Sequence, residues 1–376
     1  MTYIWEQTGW PYFSWQSDKL ITILSRARFI QGELLSKIRS LGLDQSNETN
    51  SEILVEEAIK TSAIEGVRLD KESVRSSVAK RLGLPTAGLK EPDRNADGQV
   101  CVIMDATLNY KKPLTMKRLK SWQAALFPTG YSGLSKIKAG EWRGSAPMRV
   151  ISGPVGREKV HFEAPPSDRI DSEIKTFIEW WETEKKGIDG LLRAGIAHFY
   201  FVTIHPFEDG NGRIGRALTD MALAQDENLS KRYYSLSSRI MQERKAYYDI
   251  LEKSQRGALD ITEWLLWFLK CYSWAIEDSE RIILKALKIA AFWQKHAQII
   301  LNKNQRKVIN RLLEAGPGGF TGGLSTRKYV AMTKVSRATA YRDIIDLVKK
   351  KILVQSRAKG RSTSYELVFP SVGRLM

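Results

Sequence analysis

The sequence predicts a mainly α protein with one β-hairpin in its body and a basic helical tail that ends in a second hairpin. Three observations carry this. Leucine, isoleucine and other apolar residues recur at helical spacing over residues 20–43, 188–204 and 264–276. That rhythm breaks within residues 149–166, where Val150 and Ile151, then Gly153, Pro154 and Gly156, then Val160, His161 and Phe162 read as strand, turn, strand. Residues 302–376 hold 16 Lys and Arg against 4 Asp and Glu, so this tail carries +12 of the chain's net +17.

Composition narrows the class. Hydrophobic residues at 43% and charged residues at 27% are ordinary for a globular chain, and 376 residues allow two or three domains. Two cysteines, Cys101 and Cys271, support neither a disulfide framework nor a cysteine zinc site. The opening ten residues lack a basic-then-apolar leader, and the most apolar stretch is interrupted by Lys270, so a cytoplasmic location and no membrane contact are expected.

In chain order, Trp5, Trp10, Pro11, Tyr12, Phe13 and Trp15 form an aromatic cluster expected in the core. A helix follows over 20–43 and a second over 51–65. Residues 84–98, with Pro85, Gly88, Pro92, Asn95 and Gly98, read as a long loop or boundary. After the hairpin, helices are predicted over 168–184, 188–204 and 211–224. Asp260 and Glu263 have the spacing of a helix start, and the helix they open is predicted to run through Ile276. In the tail, helices over 305–313, 325–332 and 337–348 precede a hairpin over 353–368. His198, on the apolar helix before the central loop, is expected to be buried and hydrogen-bonded.

The chemistry is concentrated in His205-Pro206-Phe207-Glu208-Asp209-Gly210-Asn211-Gly212-Arg213-Ile214-Gly215-Arg216. Pro206 disfavours helix at His205 and makes the segment a loop between helices. Gly210 and Gly212 permit backbone geometries that turn successive amides toward one point at a helix N-terminus, a place suited to phosphate. Arg213 and Arg216 lie three apart and can fork phosphate oxygens together. Asp209 suits Mg2+, which binds through one or two carboxylates plus substrate phosphates. His205, with an ordinary pKa of ~6.5, can accept a hydroxyl proton. Base, metal and anion hole together describe phosphoryl or nucleotidyl transfer.

The pattern H-x-F-x-[D/E]-G-N-G-R-x-x-R fixes eight positions, a chance match on the order of 10⁻⁸, and this sequence meets all eight. In it the chain resembles the Fic family. The resemblance implies a Fic-fold helical core in which His205 deprotonates a target hydroxyl that attacks the α-phosphate of ATP. It further implies that Asp209 holds Mg2+, that Gly210, Asn211 and Gly212 form the anion hole, and that Arg213 and Arg216 meet the β and γ phosphates. Val150, Ile151, Ser152 and Gly153 resemble the first strand of the family's flap over the nucleotide, and Tyr247 and Gln255 its adenine-side wall. Thr61-Ser62-Ala63-Ile64-Glu65-Gly66 resembles the family's inhibitory motif, which implies that Glu65 pairs with Arg216 and occupies the γ-phosphate position. The implied function is a protein adenylyltransferase acting on a Ser, Thr or Tyr hydroxyl of a target protein or of itself. UMP, GMP or phosphocholine donors stay open, because nothing in the loop reads a base.

The expected organisation is a helical N-terminal segment at 1–90, a catalytic core at 91–300 and a winged helix at 302–376. The winged helix resembles DNA-reading modules of bacterial regulators, with Arg337, Thr339, Tyr341 and Arg342 toward the groove and Lys359 and Arg361 toward phosphate. Protein contact is the other use of such a module. A DNA-binding regulator with a nucleotide-sensing core is the alternative function, and a homodimer stays open.

Overall fold

The helix Gly190–Ile204 is buried along its length from Leu191 to Ile204 and packs against the helices Ile170–Thr183, Asn211–Glu227 and Thr262–Lys295. The structure is a computed structural model that describes residues 2–40, 47–86, 89–152, 157, 159–185, 187–316, 320, 322–356 and 363–369. Gly153, Lys359 and Arg361 lie outside these.

In chain order the helices are α1 (Ser17–Ser40), α2 (Asn47–Ile64), α3 (Lys71–Arg81), α4 (Arg94–Leu108) and α5 (Met116–Leu126), followed by α6 (Ile170–Thr183), α7 (Gly190–Ile204), α8 (Asn211–Glu227), α9 (Leu236–Gln242), α10 (Arg244–Gln255) and α11 (Thr262–Lys295). Two hairpins separate α5 from α6. The first pairs β1 (Tyr131–Ser132) with β2 (Ser135–Lys136), and the second pairs β3 (Arg149–Ser152) with β4 (Lys159–Glu163). The tail holds α12 (Lys303–Ala315), α13 (Thr326–Thr333), α14 (Arg337–Lys349) and the antiparallel pair β5 (Leu353–Gln355) and β6 (Tyr365–Leu367). The fold is thus mainly α with small strand pairs.

Apolar residues of α1, α6, α7, α8 and α11 form the main cluster. A smaller one joins α2, α3 and α4 through Leu54, Val55, Val74, Val78, Val100 and Ile103, and a third lies inside the tail around Val308, Tyr329, Ile344 and Leu353. Burial of these side chains is the main favourable term, roughly 1.5–3 kcal/mol for each large apolar residue taken fully from water.

Several expectations change. The loop predicted over 84–98 ends at Asp93, whose carboxylate accepts from the Ala96 N–H at 2.9 Å and starts α4. Gly98 belongs to that helix: a Cβ there would stand 1.8 Å from the Ala125 carbonyl oxygen, so this glycine serves close packing of α4 on α5 rather than a turn. The helix predicted to stop at Ile276 runs to Lys295, and Phe292 at its end joins the tail's cluster. Of the N-terminal aromatics, Trp10 and Phe13 pack edge-on against Tyr200, whereas Tyr12 is 80% exposed.

Candidate active site

The site is built where α7 ends and α8 begins. Pro206 stops α7, and His205 caps it in the left-handed region at φ 51°, ψ 56°, a conformation that costs a non-glycine residue ~1–3 kcal/mol. The surroundings must hold it there. The His205 N–H donates to the Phe201 carbonyl at 3.1 Å, and Nδ1 lies 3.1 Å from the Val202 carbonyl. A carbonyl only accepts, so Nδ1 carries the hydrogen and Nε2 keeps its lone pair. Burial, with Arg143 nearby, pushes the imidazole pKa below its ordinary 6.5, which favours the neutral base.

Between His205 and α8 the loop is closed by Asn211. Its Oδ1 accepts from the Phe207 N–H at 3.0 Å and its Nδ2 donates to the Phe207 carbonyl at 2.8 Å, while the Phe207 ring is fully buried and lies 4.8 Å from the Trp142 ring. Asn211 therefore gives its side chain to loop shape, leaving its backbone N–H for a ligand. The N–H groups of Asn211, Gly212 and Arg213 have no acceptor within their own helix, as at any helix start. Gly210 adopts φ 92°, and a Cβ on it would meet the Phe127 ring at 2.9 Å.

Asp209 stands beside this turn. One carboxylate oxygen accepts from the Gly210 N–H at 2.5 Å and the other from the Ser132 hydroxyl of β1. No group of three His, Cys, Asp or Glu side chains able to hold an ion occurs among the described residues. This donor set fits a Mg2+ ion held by a single carboxylate and substrate phosphates, and does not fit an all-protein metal cage.

Both arginines of the loop are buried. The Arg213 guanidinium lies 4.7 Å from the centre of the Phe127 ring, and burial lowers its pKa. Arg216 is held from the far side by α2: Nε donates to Thr61 Oγ1 at 2.7 Å and Nη2 to the Thr61 carbonyl at 2.8 Å. Nη1 forms an ion pair with Glu65 Oε1 at 2.8 Å. Burial opposes the Arg216 charge, but the Glu65 carboxylate, with Tyr247 and Tyr248, raises its pKa above the ordinary value. The Glu65 carboxylate also lies over Gly212, where a Cβ would stand 2.0 Å from Oε1. Gly212 thus leaves room for a carboxylate at the helix N-terminus.

Helix α2 is seated by polar contacts as well as apolar ones. Glu57 accepts from Ser235 Oγ at 2.7 Å and the Ser237 N–H at 3.2 Å, and Arg244 Nε donates to the Ile64 carbonyl at 2.7 Å. The Tyr248 hydroxyl lies 3.3 Å from both the Ile64 carbonyl and Glu65 Oε2. Tyr247 is buried, with its hydroxyl 2.8 Å from His198 Nε2. His198 Nδ1 lies 3.0 Å from Thr219 Oγ1, which donates to the Gly215 carbonyl at 2.9 Å. The chain Tyr247, His198, Thr219, Gly215 braces α8 beneath Arg216, and burial depresses the His198 pKa to about 3. Gln255 is likewise buried and donates to Thr203 Oγ1 at 3.2 Å. Of the two tyrosines it is Tyr248, half-buried, that stands at Glu65.

The strands β3 and β4 pair in antiparallel register Arg149 to Glu163, Val150 to Phe162, Ile151 to Val160 and Ser152 to Lys159, with an irregularity between Val150 and Ile151. Helix α10 fixes β4: His161 Nδ1 meets Glu252 Oε2 at 2.5 Å, and Arg256 Nε donates to the His161 carbonyl at 2.8 Å. Ile151 is 54% exposed. Arg143 and Ser132 were invisible as site residues in the sequence, since they lie 62 and 77 positions from the residues they touch.

The site thus joins a left-handed histidine, the start of a helix and two buried arginines on that helix. The chain carries a domain of the Fic/DOC family, whose sequence profile matches residues 113–223. A domain of unknown function, DUF4172, matches residues 3–84, which include Glu65. Over 102 residues the chain is 33% identical to a probable protein adenylyltransferase of Aquifex aeolicus, covering 27% of this chain and 29% of that one. It is 24% identical over 268 residues to the protein adenylyltransferase Fic of Drosophila virilis, covering 69% of this chain and 50% of that one. The chain thus spans half or less of the length of these relatives. A solved Fic family protein from Desulfovibrio desulfuricans G20 shares the fold, with TM-score 0.53 and 20% identity over 95% of this chain and 98% of that one.

Proposed function

We propose that this chain is a protein adenylyltransferase that moves AMP from ATP to a Ser, Thr or Tyr hydroxyl of a target protein or of itself, and that Glu65 inhibits it. The observation that carries the reading is the tautomer of His205: with Nδ1–H committed to Val202, Nε2 is free to take a proton, beside a helix start rich in phosphate-binding donors. In the proposed step the target oxygen gives its proton to Nε2 and bonds to the α-phosphorus. The bond from that phosphorus to the oxygen bridging to the β-phosphate breaks, and pyrophosphate leaves. The amides of Asn211, Gly212 and Arg213 and the two guanidinium groups would take up the charge on the phosphate oxygens. Asp209 would hold Mg2+, which supplies Lewis-acid polarisation of phosphate oxygens when bound. β3, including Val150, Ile151 and Ser152, would cover the nucleotide. Names of relatives support AMP as the transferred group.

Glu65 is proposed to hold Arg216 away from the γ-phosphate, so that ATP seats with its α-phosphate out of line for attack. The tail is proposed as a winged helix at 302–376 beside an N-terminal unit at 1–90 and a core at 91–300. Arg337, Tyr341 and Arg342 are exposed on α14, which favours DNA as its partner. The test of the main reading is incubation with Mg2+ and labelled nucleotides followed by peptide mass spectrometry. AMP on a hydroxyl side chain is expected, and its absence from a Glu65→Gly variant would overturn the reading.

A further inference from the structure

Arg143 is buried at 5% exposure, and no carboxylate pairs with it among the described residues. Among the described residues its hydrogen bonds all go to backbone carbonyls, two of them at His205 and Pro206. Its Nε donates to the His205 carbonyl at 2.9 Å, its own N–H donates to the Pro206 carbonyl at 2.9 Å, and Nη2 donates to the Pro165 carbonyl. A guanidinium taken out of water without a counter-charge is costly, so its retention calls for a compensating role. What it holds is the one strained peptide of the site. His205 sits at φ 51°, its carbonyl accepts from the Arg143 side chain, and the next carbonyl, of Pro206, accepts from the Arg143 backbone N–H. The Pro165 contact ties the same group to the end of β4.

We propose that Arg143 is the positioning residue of the base: it fixes the left-handed turn that aims His205 Nε2. This deepens the transferase reading and rests on it. Three charged groups face His205, with Arg143 opposing protonation and Glu65 and Asp209 favouring it. A lysine at 143 would keep the charge but present a single nitrogen, which cannot hold carbonyls in two directions as a fork does.

The experiment compares Arg143→Met and Arg143→Lys in full-length Glu65→Gly protein, reading kcat, KM for ATP and the pH profile of self-modification, with thermal unfolding as a folding control. For Arg143→Met, kcat is expected to fall ten- to a hundredfold with KM for ATP within about threefold, since a misplaced base costs the transition state and leaves phosphate binding alone. The acid limb of its kcat profile should move to higher pH. Arg143→Lys should lose a similar kcat while its acid limb stays near that of the parent. A folded Arg143→Met with an unmoved acid limb, or a loss seen in KM rather than kcat, would overturn the proposal. If Arg143→Met does not fold, full kcat in Arg143→Lys would overturn it by itself. Failure of the transferase reading is told apart by His205→Ala: if that variant retains transfer, the base is not His205 and the Arg143 result no longer bears on it.

Discussion

Replacing Glu65 with glycine removes one carboxylate, and the account predicts that activity rises. In the structure that carboxylate meets Arg216 Nη1 at 2.8 Å, with the arginine side chain 2% exposed and the glutamate 26% exposed. A charge-assisted contact of this kind contributes about 1.5 to 3 kcal/mol, which would hold roughly 90 to 99% of molecules in the inhibited arrangement. Relief should therefore be about tenfold to a hundredfold and should appear in kcat more than in ATP affinity. Arg216 does not become loose, because Nε and Nη2 remain on Thr61 while Nη1 turns to phosphate. The assay is self-modification with labelled ATP in wild type, Glu65→Gly, Arg216→Ala and the double variant. The double variant should be inactive, since the proposed reaction needs the guanidinium that the lock holds. An unchanged or lower rate in folded Glu65→Gly would show that residues 61–66 are an ordinary helix end, and the inhibitory reading would have to go.

Other consequences are equally open to measurement. His205→Ala should abolish transfer while ATP still binds, as followed by titration calorimetry, because the base acts in the transition state. With the His205 pKa below 6.5, the imidazole stays unprotonated to lower pH than a free one, so kcat of Glu65→Gly should hold through pH 6.5 and fall only below it; a decline beginning above pH 7 would contradict this. Asn211→Ala breaks both bonds to the Phe207 backbone and leaves buried groups unpaired, which should cost about 2–4 kcal/mol in unfolding experiments. In the full chain, Arg337→Ala with Arg342→Ala should weaken DNA binding and flatten its dependence on the logarithm of salt concentration by nearly two units of slope; equal binding would remove DNA as the tail's partner.

What could be read in the sequence was the loop, because residue type and spacing there define the chemistry directly: a proline-stopped histidine, flexible glycines and arginines one helical turn apart. The pairing of Glu65 with Arg216 came only through resemblance, since 151 positions separate them. Residues whose role depends on tertiary approach were silent. Nothing in residue type or spacing marks Arg143 or Ser132 in the sequence. Gly98 read as loop because close helix packing and a turn ask for the same residue, and only the Ala125 carbonyl distinguishes them. Tyr247 and Tyr248 are adjacent on one helix, and a 3.6-residue period sends the first into the His198 chain and the second to Glu65.

The central claim is that the α-phosphoryl group with its nucleoside is what moves. It is tested most directly by giving Glu65→Gly protein ATP labelled at the α-phosphate in one reaction and at the γ-phosphate in another, then following protein-bound label. The account predicts label retained from the α position, none from the γ position, and neither in Glu65→Gly, His205→Ala. Label retained from the γ position would make the chain a kinase and contradict the account.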